Sequence, residues 1–422
     1  IATINHTAWQ RFRLRRRLKC CFYLDKEAIT IDNISDIEQY RKLRKKKKKK
    51  KRLIAFLIIA FLIAAIAILG TYFSRSGNTG DLENTDSANG ADTGITANGF
   101  PVSLGGNNPL DITGYGKNIL LLTKNNLISF SESGKQVYSA HHGYSNPVMT
   151  ASSKRVLTYD LGGYQFRLDT AKNAVGSKKL TEAIAYGAVS NDGHVAIVTQ
   201  TERYSVSLKI YDSGLQEVFS WNVTDKIITS IDFNKHNNAC VVAALSVEDG
   251  SANSKIYELS LQSKKEIFET ILEDCVAISV DYKANGTIGI VTDTAAYLLD
   301  SSGKIKSESI YSGKLLLHSN TASDSVTVLL EDTENTRNTR ILLIDDNGNT
   351  AASTEISEPA VDAKAGNDCL LVLGENSITV FDKNLQQVKT VQTETNPLRT
   401  LLFNQKGYVL TAAKLTQFLV SK

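Results

Sequence analysis

Short apolar or alternating runs of five to seven residues recur from about Phe100 to the end of the chain. They are rich in Val, Ile, Leu, Tyr and Thr, whereas the segments between them hold Gly, Asn and Asp. A period of two is typical of strands, and Gly, Asn and Asp favour the turns that join them. The pattern therefore predicts an all-β domain over about 320 residues.

Two kinds of segment repeat along this domain. The first is a strand, a polar turn and a more apolar strand, as in "AVSNDGHVAIVT" at 188–199 and "LFNQKGYVLTAA" at 402–413. The second is an apolar strand that ends in Asp before a Gly or Asn turn, as in "LKIYDSGLQ" at 208–216. Asp favours turn starts because its carboxylate accepts backbone N–H groups. The aspartates predicted to share this turn position are Asp169, Asp212, Asp300, Asp345 and Asp382, with Ser131 in a weaker copy.

The two segments alternate, so each pair predicts one four-stranded unit. The first strands are expected near residues 110, 146, 183, 227, 275, 314, 359 and 397, which gives spacings of 36 to 48 residues. Repeats of about 40–45 residues are typical of β-propeller blades. Eight blades are favoured, and seven remain an alternative. The last unit has room for three strands, so residues 100–106 are predicted to supply its outermost strand and close the ring.

Before this domain, residues 53–73 form an apolar run without a charge. As a helix, 21 residues would extend about 31 Å, enough for the hydrocarbon core of a bilayer. A buried core helix is less consistent with this run, because such a helix rarely stays apolar on every face for this length. A cleaved signal peptide is also less consistent, because no cleavage site of small residues follows the run. The run predicts one transmembrane helix, an uncleaved signal anchor. The basic residues directly before it are Lys45, Lys46, Lys47, Lys48, Lys49, Lys50, Lys51 and Arg52.

Charge is divided unequally across this predicted helix. Residues 1–52 hold 18 Lys and Arg against 5 Asp and Glu, so the near-neutral whole chain combines a segment of charge +13 with a remainder of −9. Positive segments stay in the cytoplasm, so the amino end is expected inside and the large domain outside the cell membrane. The lysine block is interpreted as a topology determinant among anionic lipid headgroups, and no nucleic-acid module is expected.

The sequence thus predicts four parts. Residues 1–52 form a basic cytoplasmic segment, of which 1–28 is expected to be a disordered tail or an artefact. Residues 53–73 form the transmembrane helix, and 74–98 form a flexible linker because Ser, Gly, Asn, Thr and Asp dominate it. Residues 99–422 form the extracytoplasmic propeller.

The polar turns resemble the F-x-x-x-G pattern of WD40-like and quinoprotein-like propeller repeats. With "DIEQYRKLRKKKKKK" before the apolar run, the chain also resembles an uncharacterised family of single-pass membrane proteins from Clostridia-type Gram-positive bacteria. The resemblance implies the propeller fold and the topology, and no known activity. Only Trp9 and Trp221 are present, so the regular tryptophan docking of quinoprotein dehydrogenases is absent.

Candidate chemistry is sparse. The adjacent His141 and His142 could bind a metal but are expected to be surface residues, since no second ligand pair follows at a metal-binding spacing. No metalloprotease, nucleophile-elbow or phosphate-loop motif occurs in a fitting context, so no catalytic residue and no cofactor are predicted. Cys240 and Cys275 belong to neighbouring predicted blades; a disulfide is left open, and buried free thiols are favoured.

Two functions follow from this pattern. The favoured one is a binding or scaffolding module that recognises a cell-wall component, a peptide or a partner protein. The alternative is an enzyme, a hydrolase or lyase whose residues converge from several blades on the central channel.

Overall fold

The computed structural model describes residues 99–201, 206–248, 250–311, 315–321, 325–331, 337–366, 368–394 and 396–420. These residues form 32 strands in eight four-stranded antiparallel sheets, or blades. Strand β1 (Val102–Ser103) belongs to the last blade. Blades 1 and 2 contain β2 (Pro109–Tyr115), β3 (Asn118–Thr123), β4 (Asn126–Ser131), β5 (Gln136–His141), β6 (Pro147–Ala151), β7 (Val156–Asp160), β8 (Gln165–Asp169) and β9 (Ala174–Lys179).

The remaining blades follow in chain order. Blades 3 and 4 contain β10 (Ile184–Val189), β11 (Val195–Thr199), β12 (Val206–Tyr211), β13 (Glu217–Val223), β14 (Lys226–Phe233), β15 (Ala239–Glu248), β16 (Ser251–Ser260) and β17 (Lys265–Leu272). Blades 5 and 6 contain β18 (Ala277–Tyr282), β19 (Ile288–Thr292), β20 (Ala295–Leu299), β21 (Ile305–Ile310), β22 (Leu315–Thr321), β23 (Ser325–Glu331), β24 (Thr339–Asp345) and β25 (Thr350–Ile356). Blades 7 and 8 contain β26 (Asp362–Ala365), β27 (Cys369–Leu373), β28 (Ser377–Asp382), β29 (Gln387–Gln392), β30 (Arg399–Phe403), β31 (Lys406–Leu410) and β32 (Lys414–Leu419).

The blades form a closed eight-bladed propeller. Among the described residues, first strands of neighbouring blades contact each other at seven of the eight junctions, including β30 of the last blade with β2 of the first, and blades 5 and 6 share the apolar cluster of Val291, Tyr311 and Leu316. The predicted all-β propeller with eight four-stranded blades is confirmed, and the seven-blade alternative is wrong. Observed first strands begin at residues 109, 147, 184, 226, 277, 315, 362 and 399, within three residues of each predicted start.

Differences in burial explain why the strands of one blade differ in their pattern of apolar and polar residues. Second strands such as β11 and β19 are buried at every position because each blade lies between two neighbours. Their continuous Val, Ile and Ala runs suit burial on both faces. Outer strands such as β21 and β25 instead alternate between more and less exposed residues. The core consequently consists of clusters between neighbouring blades, and the cluster of Ile112, Phe130 and Tyr408 joins blade 1 to blade 8.

Strand β1 closes the ring. Val102 pairs with Leu415 and Ser103 with Lys414 of β32, and the Leu104 amide donates to the Ala413 carbonyl at 2.8 Å. Val102 and Leu104 are fully buried in the cluster between blades 8 and 1. The predicted closure by the segment before blade 1 is confirmed.

The propeller has two distinct faces. On inner strands β14 and β18, Ser230 Oγ accepts from the Val280 amide and Asp232 Oδ2 from the Tyr282 amide, so the two strands run in the same direction. We call the face where inner strands begin the upper face and the face where they end the lower face. The turns after first and third strands lie on the lower face, where Asn404 Nδ2 of blade 8 donates to Glu132 Oε1 of blade 1.

The predicted transmembrane helix and its flanking segments, residues 1–98, lie outside the described residues. Within the described residues, no helix is long and apolar enough to cross a bilayer.

Candidate functional site

The hairpin β15–β16 of blade 4 is the longest in the described part of the propeller. Both strands have ten residues and pair without a register shift from Ala239 with Ser260 to Glu248 with Ser251. Second strands of the other blades have five to seven residues. The sequence Asp249-Gly250 between the two strands favours a tight two-residue hairpin turn. The described residues 247, 248 and 250–252 therefore extend beyond β14 and β17 on the upper face.

The connection to blade 5 braces this hairpin. The Asp274 amide donates to Asn253 Oδ1 at 3.0 Å. Ser254 is buried, and its hydroxyl donates to the Cys275 carbonyl at 3.0 Å and accepts from the Ala277 amide at 2.7 Å. The hairpin is thus fixed to a neighbouring blade by side chains of its second strand, so its tip projects from a well-supported base.

Exposed apolar side chains are concentrated around this hairpin. Twelve large apolar side chains of the described residues are exposed, and five of them lie at upper ends of strands in blades 4 and 5. We call these five the blade 4–5 patch; their exposure is between 37% and 65%, and they are Ile227, Val247, Ile271, Ile278 and Ile310. Apolar side chains exposed together beside a projecting element are typical of protein-binding surfaces.

Polar side chains also lie on inner strands at two opposite places in the ring. Between blades 8 and 1, Arg399 Nε lies 3.6 Å from Asp111 Oδ1. Burial raises the pKa of Asp111, and the charges of Arg399 and Lys364 oppose this rise. In blade 4, burial raises the pKa of Asp232 to about 6, and the Asp281 charge adds to the effect. Such shifted carboxyls are candidates for acid–base chemistry.

Hydrogen bonds of Asp232, and of Asp362 on β26, indicate a structural role instead. Asp232 Oδ1 accepts from the Phe233 amide at 2.9 Å and Oδ2 from the Tyr282 amide at 2.8 Å. Asp362 Oδ2 likewise accepts from the Thr400 amide of the next blade at 2.8 Å. Each of these carboxylates ties its inner strand to the following one.

A buried charge cluster joins blades 1 and 2. Arg167 donates to both oxygens of Asp169, from Nε to Oδ2 at 2.7 Å and from Nη2 to Oδ1 at 2.6 Å. Tyr138 of blade 1 donates its hydroxyl to Asp169 Oδ1 at 3.0 Å, and Arg167 Nη1 donates to the His141 carbonyl at 3.1 Å. Asp169 is completely buried. Burial and the Asp169 charge raise the pKa of Tyr138 to about 12, so this hydroxyl remains a donor near neutral pH.

The two adjacent histidines lie beside this cluster, in different environments. His141 is exposed, as expected, but His142 is half-buried, and its Nδ1 accepts from the Tyr144 amide at 3.1 Å. Burial lowers the pKa of His142 to about 4. Within the described residues, no group of three His, Cys, Asp or Glu side chains is placed to hold a metal ion.

We expect His142 to destabilise the propeller as the pH falls. Unfolded His142 binds a proton below about pH 6.5, whereas the folded residue does so only below about 4, so stability present above 6.5 is lost progressively towards 4. His142→Asn retains an acceptor for the Tyr144 amide and should flatten this loss in melting curves recorded from pH 7 to 4. His141→Asn is the matched control and should follow the wild type. If the melting temperatures of His142→Asn and wild type fell in parallel with pH, the expectation would be contradicted. Asp232 has a raised pKa, so its contribution to stability increases as the pH falls, and it affects all three proteins equally.

Four of the five predicted turn aspartates occupy one geometry. Asp212 Oδ1 accepts from the Gly214 and Gln216 amides, both at 2.9 Å. The same pairs of bonds close the turns after β20, β24 and β28, at Asp300, Asp345 and Asp382. In blade 1 the Ser131 hydroxyl accepts from the Lys135 amide at 3.2 Å.

The fifth aspartate, Asp169, requires a correction to the predicted common register. Its turn is one residue shorter, from Thr170 to Asn173, so β8 extends one residue further and Asp169 pairs with Ala174 inside the sheet. Thr170 holds the turn position, and its hydroxyl accepts from the Asn173 amide at 3.0 Å. Asp169 belongs to the charge cluster between blades 1 and 2.

The described cysteines are free. Cys240 and Cys275 are both buried and form no disulfide, so the expectation of buried free thiols is confirmed. Burial raises the pKa of each thiol, which keeps both protonated and poorly nucleophilic at neutral pH.

Comparisons with known proteins agree with this architecture. Residues 103–419 match the model of a family of unknown function (DUF5711). The chain is similar to Sqt1 of Saccharomyces cerevisiae, at 14% identity and a TM-score of 0.59, over 77% of this chain and 99% of Sqt1. It is also similar to BamB from Moraxella catarrhalis, at 11% identity and a TM-score of 0.52, over 77% of this chain and 100% of BamB.

An enzyme shares the fold as well. The quinohemoprotein alcohol dehydrogenase ADHIIG from Pseudomonas putida HK5 is similar at 7% identity and a TM-score of 0.53, over 75% of this chain and 76% of that one. No curated protein sequence matches the chain. At these identities, the structural similarities show the propeller fold alone.

Proposed function

The chain belongs to the family of unknown function DUF5711, and we propose that it is a binding or scaffolding module of the cell envelope. The partner is a protein that docks on the upper face at blades 4 and 5. The observation that carries this proposal is the braced hairpin β15–β16, which projects beside the blade 4–5 patch.

Exposure and bracing support this site in combination. Exposed Ile and Val side chains would lose contact with water when a partner covers them, at about 25 cal/mol per Å² of apolar surface. A hairpin that is already fixed to blade 5 loses little conformational freedom on binding, so more of that energy appears as affinity. Elsewhere in the described propeller, exposed apolar side chains are spread over more blades.

The alternative, an enzyme with residues in the central channel, has weaker support. Asp232 has the shifted pKa that acid–base catalysis would use, but both of its oxygens already accept backbone amides. Each oxygen keeps a second lone pair, but the two amide bonds give Asp232 a structural role as a link between β14 and β18. The geometry therefore favours binding over catalysis.

The proposal includes anchoring outside the cell membrane by residues 53–73. Support comes from the uncharged apolar run and from the charge of +13 before it against −9 after it. In intact cells, and with the native cysteines replaced, a membrane-impermeant thiol reagent should label a cysteine at Ser87 and leave one at Ser35 unlabelled. Labelling of the Ser35 position but not the Ser87 position would reverse the orientation.

Loss of the blade 4–5 patch should remove the partner. We expect Val247→Glu/Ile271→Glu to weaken capture by about tenfold or more in crosslinking pulldown of the intact membrane protein, because charges would be buried in the interface. Ile305→Glu, an equally exposed position near the lower end of blade 5, is the matched control and should leave capture unchanged. Equal melting temperatures would show that all proteins are folded. Identical capture by wild type and double variant would contradict this docking site.

A further inference from the structure

The lower face carries its charge unevenly. The turns of blades 1 and 2 on this face hold five basic residues and a single acidic one, Glu132. We call the five the basic arc: Lys117, Lys135, Lys154, Arg155 and Lys172. The four lysines are exposed and Arg155 is partly exposed. The basic arc thus presents several cations to solvent on neighbouring blades.

The opposite side of the same face is acidic. In blades 5 to 7, the lower turns and strand ends present Asp300, Asp345, Asp346, Asp368 and Asp382. Three exposed lysines accompany them in described residues, Lys304, Lys306 and Lys383. A fourth, Lys283, is buried and donates its amine to the Ser325 carbonyl at 2.9 Å. The face is therefore basic at blades 1 and 2 and acidic at blades 5 to 7, and blade 4 adds a separate group of exposed lysines, Lys235, Lys264 and Lys265.

Apolar side chains lie directly beside the basic arc. Val137 and Val175 are 42% and 40% exposed, and each is the second residue of an outer strand that starts from one of these turns. In sequence, Val137 follows Lys135 by two residues and Val175 follows Lys172 by three. Cations next to exposed apolar side chains match a bilayer surface, where headgroups carry the charge and acyl chains lie just beneath them.

The first described residue of the propeller lies at the same place. Gly99, the first described residue, lies against the turn between β4 and β5, where a Cβ on Gly134 would come within 2.8 Å of the Gly99 carbonyl carbon. Gly134 has a positive φ of 80° and contacts Gly99, so both its conformation and its close approach require glycine. Gly99, the first described residue of the propeller, therefore lies beside Lys135.

We propose that the basic arc is a contact surface for an anionic phospholipid bilayer. Each basic residue near such a surface raises affinity by roughly fivefold, so five together give a factor on the order of 10³. This is weak binding by itself. Anchoring, which belongs to the proposed function, would add an effective concentration in the millimolar range and make the weak contact persistent. A lower face on the membrane leaves the upper face and the blade 4–5 patch free for the partner.

At one position of the basic arc, an ion pair partly neutralises the positive charge. Lys154 Nζ lies 3.2 Å from Asp192 Oδ1 of blade 3, but both side chains are more than half exposed. An exposed pair of this kind contributes little and is exchanged easily for another anion. Lys135 and Lys172 are the clearest positions for a test, because each adjoins one of the exposed valines.

Vesicle binding by a fragment of residues 99–422 tests the proposal without the membrane anchor. Such a fragment contains the closed ring, from β1 to β32, and every described core cluster. We expect it to sediment with vesicles that contain phosphatidylglycerol and not with pure phosphatidylcholine vesicles. Lys135→Glu/Lys172→Glu should weaken this binding at least about thirtyfold.

Lys304→Glu/Lys383→Glu is the matched control on the acidic side. Lys304 occupies the turn position of Lys135, and Lys383 lies in the corresponding turn of blade 7, so the change in net charge is the same. This control should bind within about threefold of the wild type. Equal losses in both variants, equal binding to neutral vesicles, or no binding to anionic vesicles would overturn the proposal. Binding to polyphosphate without binding to vesicles would overturn it too, since the anion would then not be lipid. The thiol-labelling experiment tests the anchor separately.

Discussion

A fragment that begins at Asn107 is expected to melt well below one that begins at Gly99. The shorter fragment lacks Val102 and Leu104, both fully buried between blades 8 and 1, and Phe100, whose ring lies 5.4 Å from that of Tyr408. Burial of one Val and one Leu is worth about 3–6 kcal/mol, and loss of β1 also exposes the outer edge of β32. Thermal and denaturant unfolding of the two fragments measure the difference.

Point variants separate closure from a general effect of truncation. Leu104→Ala should cost about 2–5 kcal/mol because it leaves a cavity at the junction of the first and last blades. Leu419→Ala is the matched control in the same blade; its side chain is 64% exposed, so its loss should cost less than about 0.5 kcal/mol. Equal melting temperatures for the two fragments would show that β1 does not contribute to closure in solution.

The sequence predicts the propeller well because its signals are local. In each blade, a second strand buried on both faces gives an apolar run, and an outer strand gives a weaker alternation. The turn between the third and fourth strands has its own sequence marker, since Asp212 and its equivalents accept backbone amides from residues two and four positions later. These features lie within one repeat, so the blade count and the strand starts could be predicted without knowledge of contacts between blades.

The candidate site could be predicted only in part. Its one visible signal was the predicted spacing of 48 residues from blade 4 to blade 5, the longest in the chain, which reflects the extended hairpin β15–β16. The bracing by Asn253 and Ser254 could not be predicted, because it depends on how the connection to blade 5 folds back. The exposure of Ile227 and Ile278 was equally hidden, since Ile in a strand usually signals a buried position.

The error at Asp169 has the same origin. "QFRLDTAKN" has the same order of apolar strand, Asp and polar turn as the other segments. Its turn is one residue shorter, however, so the aspartate lies inside the sheet. Arg167 lies two residues before it on the same strand and faces the same side. The third member, Tyr138, comes from the neighbouring blade. A sequence pattern within one blade cannot reveal a cluster whose third member comes from the neighbouring blade.

Removal of one member of this cluster should strongly destabilise the junction of blades 1 and 2. Asp169→Ala leaves the guanidinium of Arg167, whose side chain is only 16% exposed, without its carboxylate, and deprives the Tyr138 hydroxyl of its acceptor. A charge left unpaired in a buried site costs about 3–5 kcal/mol. We expect a corresponding drop in the free energy of unfolding, measured with denaturant at neutral pH.

A double variant separates the destabilisation caused by an unpaired buried charge from the net contribution of the ion pair to the free energy of unfolding. Arg167→Met/Asp169→Leu removes both charges and keeps apolar volume, so most of the lost stability should return. Lys154→Ala breaks the exposed pair with Asp192 on the lower face and should cost less than about 1 kcal/mol. If the double variant were as unstable as Asp169→Ala, the hydrogen bonds from Arg167 to the His141 carbonyl and from Tyr138 would matter more than charge balance. If Asp169→Ala were as stable as Lys154→Ala, the cluster would be open to water in solution, and blades 1 and 2 would be held together by their apolar contacts alone.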